Sequence, residues 1–145
     1  MKPDNQINKL LESSQGLKAQ EIIALATKEF GQQLTFASSL GEEDQVLTEM
    51  IARVAPAIEI FTLDTGRLHQ ETYDLLAKTQ KRYPKVKFKV YFPDAKKVEE
   101  MVQQKGINLF YESVDNRKLC CGVRKVEPLQ RALKGKQAWI TGLRR

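Results

Sequence analysis

Four short apolar runs punctuate the chain at residues 34–38, 58–63, 86–92 and 138–141, each separated from the next by helix-length sequence. Antiparallel strands can be joined by a tight hairpin, whereas parallel strands need a crossover long enough to carry a helix. Every gap here is of the second kind. Between the first two runs, Val46, Leu47, Met50, Ile51 and Val54 recur at helical spacing. The next two gaps carry Leu68, Thr72, Leu75 and Leu76, and then Val98, Met101 and Val102. A further helix with Val126, Leu129 and Leu133 inward precedes the last run, and residues 107–121 show no clean period. The pattern predicts an α/β fold, an open and mainly parallel sheet with helices on both faces.

Details of the runs refine this expectation. Val86, Phe88, Val90 and Phe92 alternate with Lys87 and Lys89, so the third strand should have a lysine-rich face and lie at the sheet edge. Trp139 and the apolar helical faces are expected in the core. Upstream, Ala19, Ile22, Ile23, Ala26 and Phe30 describe a helix that stops at Gly31. Residues 1–16 read as a polar arm or short helix. Residues 17–145 should form one α/β domain, since 145 residues suffice for a full-sized core. Arg145 follows the last strand directly, so the domain is expected to be truncated at its C-terminal end, the front part of a longer protein.

Composition excludes several classes. An apolar fraction of 41% and a charged fraction of 29% are ordinary for a globular protein. No apolar run approaches the roughly 20 residues of a membrane span, and the N-terminus lacks a signal-peptide pattern. Two adjacent cysteines do not make a disulfide framework, which favours a reducing, cytoplasmic setting. The net charge of +6 raises nucleic acid as a partner. However, no run interleaves cations with aromatic residues as a stacking groove would, and a small anionic substrate explains the clusters as well.

Three loops that directly follow strands should gather on the carboxyl rim of such a sheet, where open α/β folds bind ligands. The first holds Ser38, Ser39, Leu40 and Gly41, followed by Glu42, Glu43 and Asp44 at the start of a helix. Small residues there suit an oxyanion, but the same residues serve equally as a helix cap, and three acids argue against an open polyphosphate cradle. The second holds Asp64, Thr65, Gly66 and Arg67, a nucleotide-lining loop or a turn capping the next helix. Glu71 and Tyr73 on that helix suit orienting or packing roles. The third leads through Gly142 to Arg144 and Arg145, whose forks suit phosphate or sulfate. His69, the single histidine, has no partner at a diagnostic spacing.

Cys120 and Cys121 are the only cysteines, bracketed by Arg117, Lys118, Arg124 and Lys125. A buried inert pair is one reading. Half of a metal site is the other, completed by thiolates from elsewhere, with the cations offsetting the charge of a thiolate cluster.

Taken together, the segments TFASSLGEEDQVL, IFTLDTGRLHQETYDL, RKLCCGVRKVEPLQRAL and AWITGLRR resemble the assimilatory adenylyl-sulfate (APS) and phosphoadenylyl-sulfate (PAPS) reductases, in order from Thr35 to Arg145. The resemblance implies an adenine-nucleotide alpha-hydrolase-like fold. It implies substrate contacts from Ser38, Ser39, Leu40, Gly41, Asp64, Thr65, Gly66, Arg67, Lys125, Arg144 and Arg145. It also implies reduction of an adenylated sulfate to sulfite and AMP through an S-sulfocysteine, resolved by thioredoxin or a similar dithiol. A CC pair completed by a later CxxC marks the iron–sulfur, APS-using branch. Cys120 and Cys121 therefore resemble two ligands of a [4Fe-4S] cluster, with Lys125 between cluster and substrate. The later CxxC and the nucleophilic cysteine are not in this sequence, so no catalytic residue is expected in this chain and the cluster is expected to be absent or incomplete. A PAPS reductase and a non-catalytic nucleotide-binding module are the alternative readings, and a homo-oligomer is left open.

Overall fold

The computed structural model describes residues 3–143. Its strands are β1 (Leu34–Ala37), β2 (Glu59–Leu63), β3 (Phe88–Tyr91) and β4 (Ala138–Ile140). They form a parallel four-stranded sheet in the order β3-β2-β1-β4. The helices are α1 (Pro3–Ser14), α2 (Ala19–Phe30), α3 (Glu42–Val54), α4 (Gln70–Arg82), α5 (Ala95–Lys105), α6 (Val114–Cys121) and α7 (Glu127–Leu133). The polar N-terminal stretch is thus a helix. No helix among the described residues is long and apolar enough to cross a membrane.

Side chains alternate across the strands, and the two sheet faces acquire different partners. Leu34, Phe36 and Ile60 point to one face, where Ile23 of α2, Ile51 of α3 and Ala55 just after α3 close the main core. Phe61 points to the other, against which α7 packs across β2 and β3. Crossovers of one hand put α3 and α4 on one side while the return to β4 runs over the other. The strand order therefore reverses at β1, which has β2 on one side and β4 on the other, and open sheets of this kind hold ligands beyond the carboxyl ends near such a reversal.

β3 lies at an edge as its lysines suggest, but those lysines are not merely solvated. Lys89 and Lys87 reach Glu59 of β2 at 2.9 and 3.6 Å. Burial alone would raise the Glu59 carboxyl. The hydrogen bond from Lys89 and the charges of Lys136, Lys89 and Lys87 outweigh it and hold Glu59 below its ordinary value.

Several expected core residues lie outside the core. Phe92 is exposed because the strand ends at Tyr91, and Trp139 is 45% exposed on the outermost strand while Ala138 and Ile140 pack inward. Val46 and Val54 fall on the solvent side of α3, where Thr48 and Ile51 are buried instead.

The largest departure concerns the last helix. Residues 114–133 form one continuous helical run, in which residues Gly122–Val126 make a π turn. A π turn inserts an extra residue and rotates the succeeding turns relative to the apolar period. Pro128 and Ala132 consequently face inward, Leu129 and Leu133 are half-buried, and Val126 is exposed.

Candidate functional site

The loop leaving β1 is closed by its own side chains. The Ser38 amide extends the sheet by donating to the Phe61 carbonyl at 2.8 Å. Its hydroxyl accepts from the Leu40 amide at 3.1 Å, and the Ser39 hydroxyl accepts from Gly41 at 3.3 Å. Between them Leu40 is buried in a left-handed conformation, φ 65°, which bulky residues seldom adopt. The Ser39 amide and hydroxyl both donate to Oδ2 of Asp44, each at 2.6 Å. The serines therefore stabilise the loop rather than cap α3, whose N-cap Gly41 offers no side-chain bond. Glu42, Glu43 and Asp44 still complement the positive end of that helix.

The loop leaving β2 is built the same way. Asp64 is buried, and its Oδ1 accepts from the Gly66 amide at 2.7 Å and the Tyr73 hydroxyl at 2.9 Å. The bond to Asp64 holds the Tyr73 hydroxyl above its ordinary pKa. Tyr73 thus orients the loop, as expected of it. Asp64 makes a turn and not a helix cap, since His69 occupies the N-cap position of α4. The Thr65 hydroxyl accepts from the Arg67 amide at 3.2 Å. The Arg67 guanidinium donates to the Ile107 carbonyl at 3.3 Å and Asn108 Oδ1 at 3.2 Å, and lies 4.7 Å from the Phe110 ring centre. It ties this loop to the turn that precedes the cysteine helix.

The cysteines end α6, which is capped by Ser113, whose hydroxyl accepts from the Asn116 amide at 3.1 Å. Consecutive helical residues diverge by about 100°. Accordingly Cys120 is buried against Met101 and Leu109 while Cys121 is exposed, and both are free thiols. One turn on, Arg124 is only 7% exposed and Lys125 is exposed. Arg124 Nη1 donates to the Thr65 carbonyl at 2.7 Å, and its Nε has no partner.

Two cavities meet here. One, of about 450 Å³, is lined by Cys120, Cys121, Arg67, His69, Phe110, Tyr111, Arg117 and Arg124. The other, of about 320 Å³, is lined by Ser38, Ser39, Phe61, Leu68, Thr72 and Leu129. Thr65 and Lys125 line both. The loop after β1, the loop after β2 and the cysteine helix therefore converge. Leu40 and Gly41 belong to the first of these loops but line neither cavity. Arg144 and Arg145 lie outside the described residues. The stretch leading to them, residues 141–143, runs beside Glu42, Glu43 and Leu47 at the start of α3. Among the described residues, no group of three or more His, Cys, Asp or Glu is assembled to hold a metal.

A family model, the phosphoadenosine phosphosulfate reductase domain, matches residues 33–145. The chain belongs to this family. It is 49% identical over 111 residues to the adenosine 5'-phosphosulfate reductase of Allochromatium vinosum, a match covering 77% of this chain and 43% of that protein. The enzyme of the same name from Neisseria meningitidis serogroup B is 48% identical over 110 residues, 76% of this chain and 45% of its own length. A probable chloroplastic 5'-adenylylsulfate reductase of Oryza sativa subsp. japonica is 43% identical over 136 residues, 94% of this chain and 28% of that protein. The crystal structure of phosphoadenylyl-sulfate reductase from Candida auris in a phosphate complex shares the fold, with a TM-score of 0.82 and 30% identity over 96% of this chain and 67% of that one. The chain spans less than half the length of the curated relatives it matches.

Two residues with evident roles at the rim were not singled out by sequence. Asp44 looks like a dipole-complementing acid, and only the folded loop reveals its bonds to Ser39. Arg124 looks like one cation of four, and only the fold reveals its burial and its bond to the Thr65 carbonyl.

Proposed function

We propose that this chain is the nucleotide-binding part of an enzyme that reduces adenylyl sulfate to sulfite and AMP. The observation carrying this reading is the wall shared by the two cavities. Lys125 and Thr65 stand between a pocket edged by the serine loop and one edged by the cysteine pair. A nucleotide in the first would direct its sulfate past Lys125 toward the second. Ser38, Ser39 and Thr65 line the nucleotide side, while Leu40, Gly41, Asp64 and Gly66 line neither cavity and shape the loops that carry those residues. Arg67 supports the loop through Ile107 and Asn108, and Arg144 and Arg145 supply further cations for phosphate or sulfate.

In this reaction a cysteine thiolate from outside this sequence attacks the sulfur, the sulfur–oxygen bond to the nucleotide breaks, and AMP leaves. A second thiol, from thioredoxin or a similar dithiol, attacks the cysteine Sγ of the resulting S-sulfocysteine and breaks its bond to the sulfonate sulfur. Sulfite departs with the electron pair, and the two thiols are left oxidised as a disulfide. Cys120 and Cys121 fit half of a four-thiolate [4Fe-4S] site, and the cations around them fit its negative charge. When bound, that cluster would add a concentrated negative charge beside Lys125. Two free thiols suit a reducing, cytoplasmic compartment.

Calorimetric titration of the chain with AMP, APS and PAPS tests the reading. Binding of AMP and APS is expected, with PAPS no tighter than APS. Tighter PAPS binding would favour a PAPS reductase, and no adenine-nucleotide binding would overturn the proposal. In the protein that carries this segment together with the nucleophilic cysteine, Cys120→Ser or Cys121→Ser should abolish iron–sulfur absorbance. An unchanged iron content would remove Cys120 and Cys121 as cluster ligands, and an iron-free parent would remove the cluster itself.

A further inference from the structure

One carboxylate touches both loops that flank the reversal in strand order. Asp44 sits in the first turn of α3 and is 6% exposed. Its Oδ2 receives the amide and hydroxyl of Ser39 in the loop after β1. Its Oδ1 lies against Gly142 in the loop after β4, where a Cβ on that glycine would collide with Oδ1 and come within 3.2 Å of Cγ. The φ of Gly142 is not in the left-handed region, so its backbone alone would admit other residues. The close approach of Asp44 is what excludes them.

We propose that Asp44 is a positioning residue that locks the loop after β1 to the loop after β4, and that glycine at 142 is present to admit it. The inference rests on the nucleotide-binding reading and deepens it. Leu40 holds an unfavourable left-handed conformation within the serine loop, and such a conformation persists only where its surroundings over-determine it. The two Ser39 bonds supply that restraint from one side, and the packing of Gly142 fixes Asp44 from the other. The rim that meets an anionic nucleotide is thereby set before the ligand arrives.

The test is a double-mutant cycle in the 145-residue chain with Asp44→Ala, Gly142→Ala, both together, and Asp44→Asn as the conservative variant. AMP affinity is measured by calorimetry, and amide hydrogen exchange is followed at Ser39, with Phe36 and Ile60 as core controls. Loss of a charged acceptor predicts about ten- to hundredfold weaker AMP binding for Asp44→Ala. Gly142→Ala should also weaken binding and speed exchange at Ser39 without disturbing the core amides. The double variant should be no worse than Asp44→Ala alone, because the obstructed atom is gone, and Asp44→Asn should recover part of the affinity. Additive effects, or a Gly142→Ala chain that matches the parent, would overturn the proposal. If Gly142→Ala does not fold, recovery of folding in the double variant supports it and failure of both overturns it. If the parent chain binds no AMP, the nucleotide reading falls, while the exchange cycle at Ser39 still decides the coupling.

Discussion

Gly66→Ala tests the contact between the loop after β2 and the cysteine helix. Gly66 has φ +73°, and a Cβ there would stand 3.1 Å from Arg124 Nη1. A left-handed alanine costs about 1–2 kcal/mol from its backbone alone. The second contribution depends on whether Arg124 can move. Its Nη1 is bonded to the Thr65 carbonyl at 2.7 Å, and the side chain is buried, so yielding means losing that bond. A hydrogen bond from a charged donor is worth about 1.5–3 kcal/mol, which brings the total to about 3 kcal/mol. Gly135→Ala provides the control, since Gly135 has φ +78° and open space around it. That variant should show the backbone cost alone. For a domain of this size, about 1 kcal/mol corresponds to about 3 °C in Tm. Urea denaturation and thermal melting should therefore put Gly66→Ala about 9 °C below the parent and Gly135→Ala about 4 °C below it. Equal losses in the two variants would show that Arg124 does not hold the loop.

The remaining expectations concern charge. Glu59 has a depressed pKa in the folded chain, so its contribution is present above the unfolded carboxylate range and is lost as pH falls through the lower folded value. Lys89 is shifted the opposite way by its bond to Glu59, so its contribution is complete below the unfolded lysine range and fades as pH rises through the higher folded value. Glu59→Gln should flatten both limbs of a stability-against-pH curve measured by urea unfolding, and an unchanged acid limb would contradict the assignment. At the shared wall, Lys125→Ala should weaken APS about tenfold more than AMP if, as proposed, the extra sulfate is directed past Lys125, and Lys125→Arg should restore part of the difference. Equal losses for the two ligands in competition titrations would remove Lys125 from sulfate recognition.

Much of the architecture is legible in the sequence because it depends on local alternation. Apolar runs bounded by helix-length gaps identify all four strands, and Lys87 and Lys89 mark β3 as an edge. The strand-following loops likewise point to Ser38, Ser39, Asp64 and Thr65, because a parallel sheet brings its carboxyl ends to one rim. The features that stay hidden depend on contacts between distant segments. The helical period over Val126, Leu129 and Leu133 is real, but the π turn at Gly122–Val126 displaces it, and nothing in GVRKV announces an extra residue per turn. α6 shows no clean period because it is mostly polar and buries Cys120 almost alone. Trp139 reads as core from its composition, yet it sits on the outer strand, beside a fully buried Thr35.

The local irregularities of this chain gather around the two cavities. The π turn and a buried Arg124 with an unpaired Nε lie there, and left-handed Leu40 stands in the loop whose serines line one of them. The opposite sheet face is closed by ordinary aliphatic packing of Leu34, Phe36, Ile51 and Ile60. Unfavourable local choices persist where the surroundings over-determine them, and each of these is tied to a neighbouring loop. Ser39 is held by Asp44, Thr65 by Arg124, and Arg67 by Ile107 and Asn108. Along the helical run, Cys120 and Arg124 form an inner row while Cys121 and Lys125 form an outer one, four residues apart in each case. Both rows line the same cavity. Each row presents one cysteine and one basic residue to that cavity, the inner row buried and the outer exposed. That four-residue spacing is an ordinary helical one, so the two rows require only that α6 runs without a break into the π turn.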